Sequence, residues 1–184
     1  KNGLEYVLKT NQDQFRIEKS NSGYINIPVV QGKIEKQDVT GTGDSLQSFN
    51  IIIKGNTDHH SVRILVNSEL WSKYDSLYDM KVGTKGYLVK TGISGGLDIY
   101  FGNGSFGDIP NEGATIEIEY IITDGAAGNL SGSKDLRFKF ETEGSDSVGE
   151  TYDLNEMLEA SFTIAPKMGS DPESTELTKL LAPL

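Results

Sequence analysis

The sequence predicts a mainly β fold of antiparallel, β-sandwich-like sheets with a short C-terminal helix, and three observations predict it. Apolar residues alternate with polar ones at period two in at least six segments. Clusters of turn-forming residues separate those segments, and no helical pattern of ten or more residues alternates with them. Short strands joined by tight turns favour antiparallel sheets over a parallel βαβ arrangement.

The clearest strand is Thr115 to Ile121, where Ile116, Ile118 and Tyr120 alternate with Thr115, Glu117 and Glu119, so one face is core and the other wet. The same alternation recurs with Ile25, Ile27 and Val29; with Phe49, Ile51 and Ile53; and with Val62, Ile64 and Val66. It recurs again with Leu97, Ile99 and Phe101, and with Leu136, Phe138 and Phe140. The turn clusters are Asn21-Ser22-Gly23, Gly41-Thr42-Gly43-Asp44, Gly55-Asn56, Gly95-Gly96, Asn111-Glu112-Gly113 and Asp124-Gly125. From Leu70 to Tyr78 the apolar spacing of three and four residues fits either one or two helical turns or an aromatic-rich loop. Ser170-Asp171-Pro172-Glu173 supplies a helix cap, a first-turn proline and an early acid, with Leu177, Leu180 and Leu181 on one face. The chain therefore divides into a β-sheet domain over 1–140, an exposed acidic Gly/Ser loop over 141–150, and a C-terminal extension over 151–184. That extension holds one strand around Phe162 to Ile164 and the capped helix, too little to bury a core alone.

Composition narrows the function classes. With 184 residues the chain can bury about 70% of the surface its unfolded form exposes. It has no cysteines, which excludes disulfides and thiolate metal sites. Hydrophobic residues make up 36%, mean hydropathy is −0.37, and 21 glycines against 5 prolines indicate many tight turns. A balance of 17 basic against 27 acidic residues gives a formal charge of −10, which repels phosphate backbones and anionic lipid; no nucleic-acid or membrane partner is expected. Uninterrupted apolar stretches such as Ile51 to Ile53 fall far short of the roughly 20 residues that span a bilayer. Lys1 stands in a polar context, so the N-terminus reads as an internal cut in a longer polypeptide, and Ala182-Pro183-Leu184 ends as abruptly.

Several motifs invite a chemical reading. Gly102-Asn103-Gly104-Ser105-Phe106-Gly107 satisfies G-x-G-x-x-G after a predicted strand, but Asp108-Ile109-Pro110-Asn111-Glu112-Gly113 continues with turn residues where a dinucleotide site needs a helix. The segment reads as a glycine-shaped connection between strands, and no cofactor is expected. His59 and His60 are adjacent, beside Asp58, and read as a solvent-exposed turn, not a metal site. Glu117 and Glu119 lie on the wet face of a strand with no apolar pocket to raise either pKa, so paired-carboxylate catalysis is not expected. Asp44, Asp108, Asp124 and Asp171 stand in turns without the spaced oxygen ligands of a calcium loop. Asn129-Leu130-Ser131 fits the glycosylation acceptor pattern without a secretion signal. Trp71, Tyr74 and Tyr78 fit a sugar-stacking platform, a protein-interface anchor, or a local mini-core under a loop.

The run Asp98 to Gly107, then Pro110, then Gly113 to Tyr120, resembles the strand, glycine turn and strand of baseplate wedge proteins from contractile-tailed, T-even-type phages. Thr123-Asp124-Gly125-Ala126-Ala127-Gly128-Asn129 is similar to the small-residue turn that ends this pattern. Val29 to Val39, Val62 to Trp71 and Gly169 to Ser174 resemble flanking parts of the same family, in the same order, and the wider group includes protein J type baseplate proteins. The resemblance implies a non-enzymatic structural protein of the virion tail baseplate, assembled in the host cytoplasm. Its partners would be other wedge proteins and copies of itself. In the family the helix begun at Pro172 is followed by further α and β segments that lie outside this sequence. The family-motif turn is Gly102, Asn103, Gly104, Phe106, Gly107 and Pro110; the candidate contact residues are Trp71, Tyr74 and Tyr78. The alternative is a carbohydrate-binding or adhesin-like β module using those three aromatic side chains.

Overall fold

A computed structural model of the chain describes residues 4–8, 28–92, 96–130, 137–146, 148–162, 164 and 169–170. The strands in order are β1 (Tyr6–Leu8), β2 (Val29–Gln31), β3 (Lys33–Thr40), β4 (Ser48–Ile51) and β5 (Asn56–Val66). Then come β6 (Glu69–Leu70), β7 (Ser72–Tyr74), β8 (Gly86–Thr91), β9 (Leu97–Phe101) and β10 (Thr115–Thr123). The C-terminal part adds β11 (Arg137–Phe138), β12 (Glu143–Ser145), β13 (Thr151–Asp153), the one-turn helix α1 (Leu154–Met157) and β14 (Ala160–Ser161). Short 3₁₀ turns stand at Leu77–Asp79 and Gly125–Gly128. The fold is mainly β, as the alternation predicts.

Two four-stranded sheets form the body. The first runs β3-β10-β5-β6, all antiparallel; the second runs β4-β9-β8-β7, with β7 parallel to β8. Their inner faces share one apolar core. Ile116, Ile118 and Tyr120 of β10 and Val62, Ile64 and Val66 of β5 enter it from one side; Ile51 of β4, Tyr87 of β8 and Leu97, Ile99 and Phe101 of β9 enter from the other. Phe101 is wholly buried and meets Phe49 and Trp71 edge-on, with centroids 6.1 and 5.6 Å apart. The chain changes sheet between β3 and β4, between β4 and β5, between β6 and β7, and between β9 and β10.

Three readings of the sequence are corrected here. His59 and His60 do not form a turn: they lie within β5, in a wide bulge where Tyr120 alone faces His59, His60, Ser61 and Val62. Asp58 holds the bulge, accepting from the His60 N–H at 2.9 Å and the Ser61 hydroxyl at 2.5 Å. The segment Leu70 to Tyr78 is neither a regular helix nor a plain loop. It is the end of β6, a corner at Trp71, all of β7, and the start of the 3₁₀ turn. Trp71 N–H bonds to the Ile64 carbonyl on one sheet and Ser72 N–H to the Lys85 carbonyl on the other, so the tryptophan is buried where the chain crosses. The acidic stretch 141–150 contains β12, which forms a hairpin with β13. The Asp146 carboxylate accepts from the N–H groups of Val148 and Glu150 across the turn, and the Val148 bond leads in holding its pKa below the usual carboxylate value.

The extension packs on the rest of the chain. β11 and β14 form a two-stranded ladder, and Phe162 rests against Phe138 and Tyr6 at 5.1 and 5.0 Å. Of the predicted strand through Leu136, Phe138 and Phe140, the described part is the two-residue β11; Leu136 lies outside the described residues. So do Ile25, Ile27, the turn at Asn21-Ser22-Gly23 and the helix predicted from Pro172.

Two positions yield stability tests. The bulge takes Val62 out of the ladder, and the buried Tyr87 hydroxyl crosses between sheets to donate to the Val62 carbonyl at 2.8 Å. Tyr87→Phe leaves that carbonyl without this partner and is expected to cost about 1–2 kcal/mol in urea unfolding. Burial pushes the Tyr87 hydroxyl from 10.0 up to about 12. A raised folded-state value means the contribution is complete below pH 10 and is lost as pH rises from there towards 12. The alkaline fall in stability should therefore be smaller in Tyr87→Phe than in the wild type. The β5–β6 hairpin turns on Asn67 and Ser68, both at positive φ (50° and 66°). This is the type I′ arrangement, in which glycine is favoured at the second place. Ser68→Gly is expected to raise stability by about 0.5–1 kcal/mol, read as a higher urea midpoint at unchanged slope.

Candidate interaction surface

The loop from Gly102 to Ala114 carries the chain from β9 in the second sheet to β10 in the first. Its first half is a closed knot of hydrogen bonds. Asn103 N–H donates to the Phe106 carbonyl at 3.1 Å and Gly104 N–H to the Gly107 carbonyl at 2.9 Å. The Asn103 side-chain oxygen accepts from Ser105 and Phe106 N–H at 3.0 and 2.8 Å. Gly107 N–H and Asp108 N–H then reach a neighbouring loop, bonding to the carbonyls of Lys81 and Thr84 at 3.2 and 2.8 Å. Every one of these donors is spent inside the protein, and β10 follows instead of a helix. The geometry that lets G-x-G-x-x-G hold a pyrophosphate is therefore not built here.

Glycine is required for two different reasons. Gly104 has φ +86°, and a Cβ there would meet nothing nearer than Ile109 Cδ1 at 3.8 Å, an ordinary contact, so the backbone conformation selects glycine. Gly102 is selected by contact: a Cβ there would stand 2.3 Å from the Gly107 carbonyl carbon and oxygen. Beyond the knot, Pro110 is buried and its carbonyl accepts from the Gln47 side chain at 2.7 Å. Gln47 is itself buried and takes the Thr42 N–H at 2.9 Å, which ties the β3–β4 loop to the same place. Leu46 N–H bonds to the Gly102 carbonyl at 3.1 Å. Three loops thus meet at one end of the sandwich.

The three predicted contact aromatics do not share a face. Trp71 is 6% exposed and belongs to the core. Tyr74 is half-buried, its ring lying where a Gly86 Cβ would be, 2.8 Å away. Tyr78 is 79% exposed and meets the Phe106 ring edge-on at 5.4 Å. Beneath them Met80 is fully buried, its sulfur pressed against both Gly86 and Gly107. Val82, 76% exposed, stands in the same loop as Tyr78. Tyr78 and Phe106 form an apolar tip on loops that are fastened from below, and the Tyr78 loop also exposes Val82. The sequence names Tyr78 as a candidate contact residue, but it suggests that Phe106 pins the glycine turn to the sheet, whereas Phe106 is exposed and meets Tyr78. Val82 and Met80 were missed; the only sequence signal is an apolar residue isolated between Lys81 and Gly83.

The other candidate groups are occupied. Glu119 holds Lys36 at 2.5 Å and Arg63 at 3.2 Å, as expected of a wet sheet face. Among the described residues no three His, Asp or Glu side chains gather as metal ligands. Asn129 is engaged by the backbone of Gly169, donating to its carbonyl at 2.7 Å and accepting from its N–H at 2.8 Å, which explains the small-residue turn beside it. A Cβ on Gly169 would meet the Gly125 carbonyl at 2.4 Å, and Gln31 grips the same turn through both the Asp124 carboxylate and N–H. Asp124, Gly125, Asn129 and Gly169, quoted above from two separated family-like stretches, are thereby brought together.

The loop knot makes a comparative prediction. Gly102→Ala should cost more than about 2 kcal/mol, because backbone must move to admit the methyl group. Gly104→Ala should cost about 1 kcal/mol, the penalty for the left-handed conformation alone. Equal urea midpoints for the two variants would contradict this assignment. No family model matches the chain, and neither a curated protein nor a solved structure is recognisably similar to it.

Proposed function

We propose that this domain is a structural component of a phage tail baseplate wedge and works through protein–protein interfaces, with no catalytic chemistry of its own. The observation that carries an interface role is the apolar tip: Tyr78 is exposed and packs edge-on against Phe106, on backbone held by hydrogen bonds and by buried Met80. Aromatic side chains presented on a rigid support lose little entropy when covered, and such residues dominate binding energies at interfaces. The placement in a baseplate wedge rests on the resemblance of Asp98 to Asn129 to that family, and so does the choice of partners: copies of this chain and neighbouring wedge proteins. The net charge of −10 argues against a nucleic-acid partner.

The carbohydrate-binding alternative needs Trp71, Tyr74 and Tyr78 on one open platform, and the burial of Trp71 in the core takes away its largest ring.

Reconstitution of wedges from purified tail proteins tests the proposal. The chain is expected to enter the assembled particle, and Tyr78→Ala with Phe106→Ala is expected to exclude it while leaving the thermal midpoint within a few degrees of wild type. Wedges that form equally well without the chain, or that accept the double variant at wild-type occupancy, would overturn it.

A further inference from the structure

β3 borders the first sheet, and its outward side carries a row of backbone hydrogen-bonding groups. The pairing with β10 runs unbroken from Lys33 opposite Ile122 to Thr40 opposite Thr115, with no bulge and no proline to blunt the edge. The residues flanking β3 show which way its groups turn. Gly41 N–H bonds to the Ala114 carbonyl on the β10 side, whereas Gly32 N–H bonds to the Glu5 carbonyl on the opposite side. Directions alternate along a strand, so Ile34, Lys36, Asp38 and Thr40 turn their N–H and C=O groups away from β10. Among the described residues no strand pairs with that side of β3, since β1 pairs with β2.

We propose that this edge pairs antiparallel with the same edge of a second copy of the chain, so that two sheets become one. A two-fold axis through an antiparallel strand pair sets one residue opposite itself. An axis at Glu35, Lys36 or Asp38 would set like charges directly against each other, which is unfavourable. An axis at Gln37 instead sets an uncharged amide against its copy and Lys36 of each chain opposite Asp38 of the other. Ile34, 45% exposed, then lies opposite Thr40 of the second copy. This register also meets the backbone requirement, because residues 34, 36, 38 and 40, whose groups turn outward, are the ones brought face to face.

The charges favour the same partner. Asp38 lies opposite Glu117 within its own sheet, a like-charged neighbour that a lysine from the second copy would offset. Lys36 is held by Glu119 at 2.5 Å and reaches Glu117 at 3.4 Å. Its ammonium has three N–H groups, so Asp38 of the second copy joins that cluster without displacing either acid. A net charge of −10 on each copy opposes association, and the pairing is therefore weak and reversible. The edge lies on β3, away from the loops that carry the apolar tip. The inference gives self-association a face but does not rest on the wedge reading: the chain alone is the sample, so either can fail without the other.

Sedimentation velocity of the chain from micromolar to millimolar concentration tests the proposal. A reversible monomer–dimer equilibrium is expected. Lys36→Asp and Asp38→Lys should each weaken it about tenfold, because each sets like charges opposite one another on both sides of the axis. An equimolar mixture of the two variants should dimerise at least as well as the wild type, since each copy then offers the charge that the other lacks. The wild-type chain gives an independent reading: the amides of Ile34, Lys36, Asp38 and Thr40 should exchange more slowly as concentration rises. A monomer at every concentration, a dimer indifferent to both variants, or folded variants whose mixture stays monomeric would overturn the proposal. A dimer lost on Tyr78→Ala and kept in both charge variants would overturn it in favour of the apolar tip. Protection of the four amides at every concentration would overturn it in favour of an edge covered by the chain's own residues.

Discussion

The apolar layer between the two four-stranded sheets is the constraint on which the rest depends. No ladder of backbone hydrogen bonds runs from one sheet to the other. They are held by side chains meeting across the gap, with Phe101 at the centre against Phe49 and Trp71, and by single bonds such as that from the Tyr87 hydroxyl to the Val62 carbonyl. Because the chain repeatedly crosses between sheets, each crossing has to end where an inward-facing side chain can begin. Trp71 at the β6–β7 corner and Gly102 just after Phe101 are places where this requirement selects the residue. The tryptophan fills the corner with apolar volume, and the glycine lets two stretches of backbone touch.

That constraint also shapes the surface. The β9–β10 crossing must return from one sheet to the other, and it does so by spending its own N–H groups on Asn103, Gly107, Lys81 and Thr84. A loop built this way has little freedom left, so Phe106 and its neighbour Tyr78 are displayed from a fixed base. On the first sheet's outer face the same regular register sets Lys36 and Arg63 on either side of Glu119, which pairs with both, while Lys36 also reaches Glu117 at 3.4 Å. Both surfaces are consequences of strand order and register.

Much of this was legible in the sequence where one face of a strand is dry and the other wet. Residues 115–121, 97–101 and 62–66 alternate because β10, β9 and the end of β5 have a core side and a side turned away from it. The signal failed elsewhere for definite reasons. β3 is an edge strand whose Val39 alone packs against the core, so Lys33 to Thr40 reads as a run of charge and polarity. β8 lies between β9 and β7 and buries Gly86, Tyr87 and Leu88 consecutively, which hides any alternation. The histidine pair fell in a bulge that no local rule reveals, since a bulge depends on the partner strand. Composition misread 141–150 as a loop because its hairpin is short and exposed on both faces. At the candidate surface, the glycines and Phe106 could be named from sequence. The burial of Trp71 and the wedge made by Met80 depend on which loops meet at the end of the sandwich, and that is set by topology.

A scaffold of this kind acts by being stiff, and stiffness of the Gly102 to Asp108 knot can be measured directly. Native-state hydrogen exchange at the amides of Gly104, Phe106, Gly107 and Asp108 is the decisive measurement, because each is bonded in a different direction within the loop cluster. If the loop is an integral part of the two-sheet body, these amides exchange together with those of β9 and β10, at the free energy of global unfolding. Exchange at rates typical of an open loop, while β9 and β10 stay protected, would contradict the account.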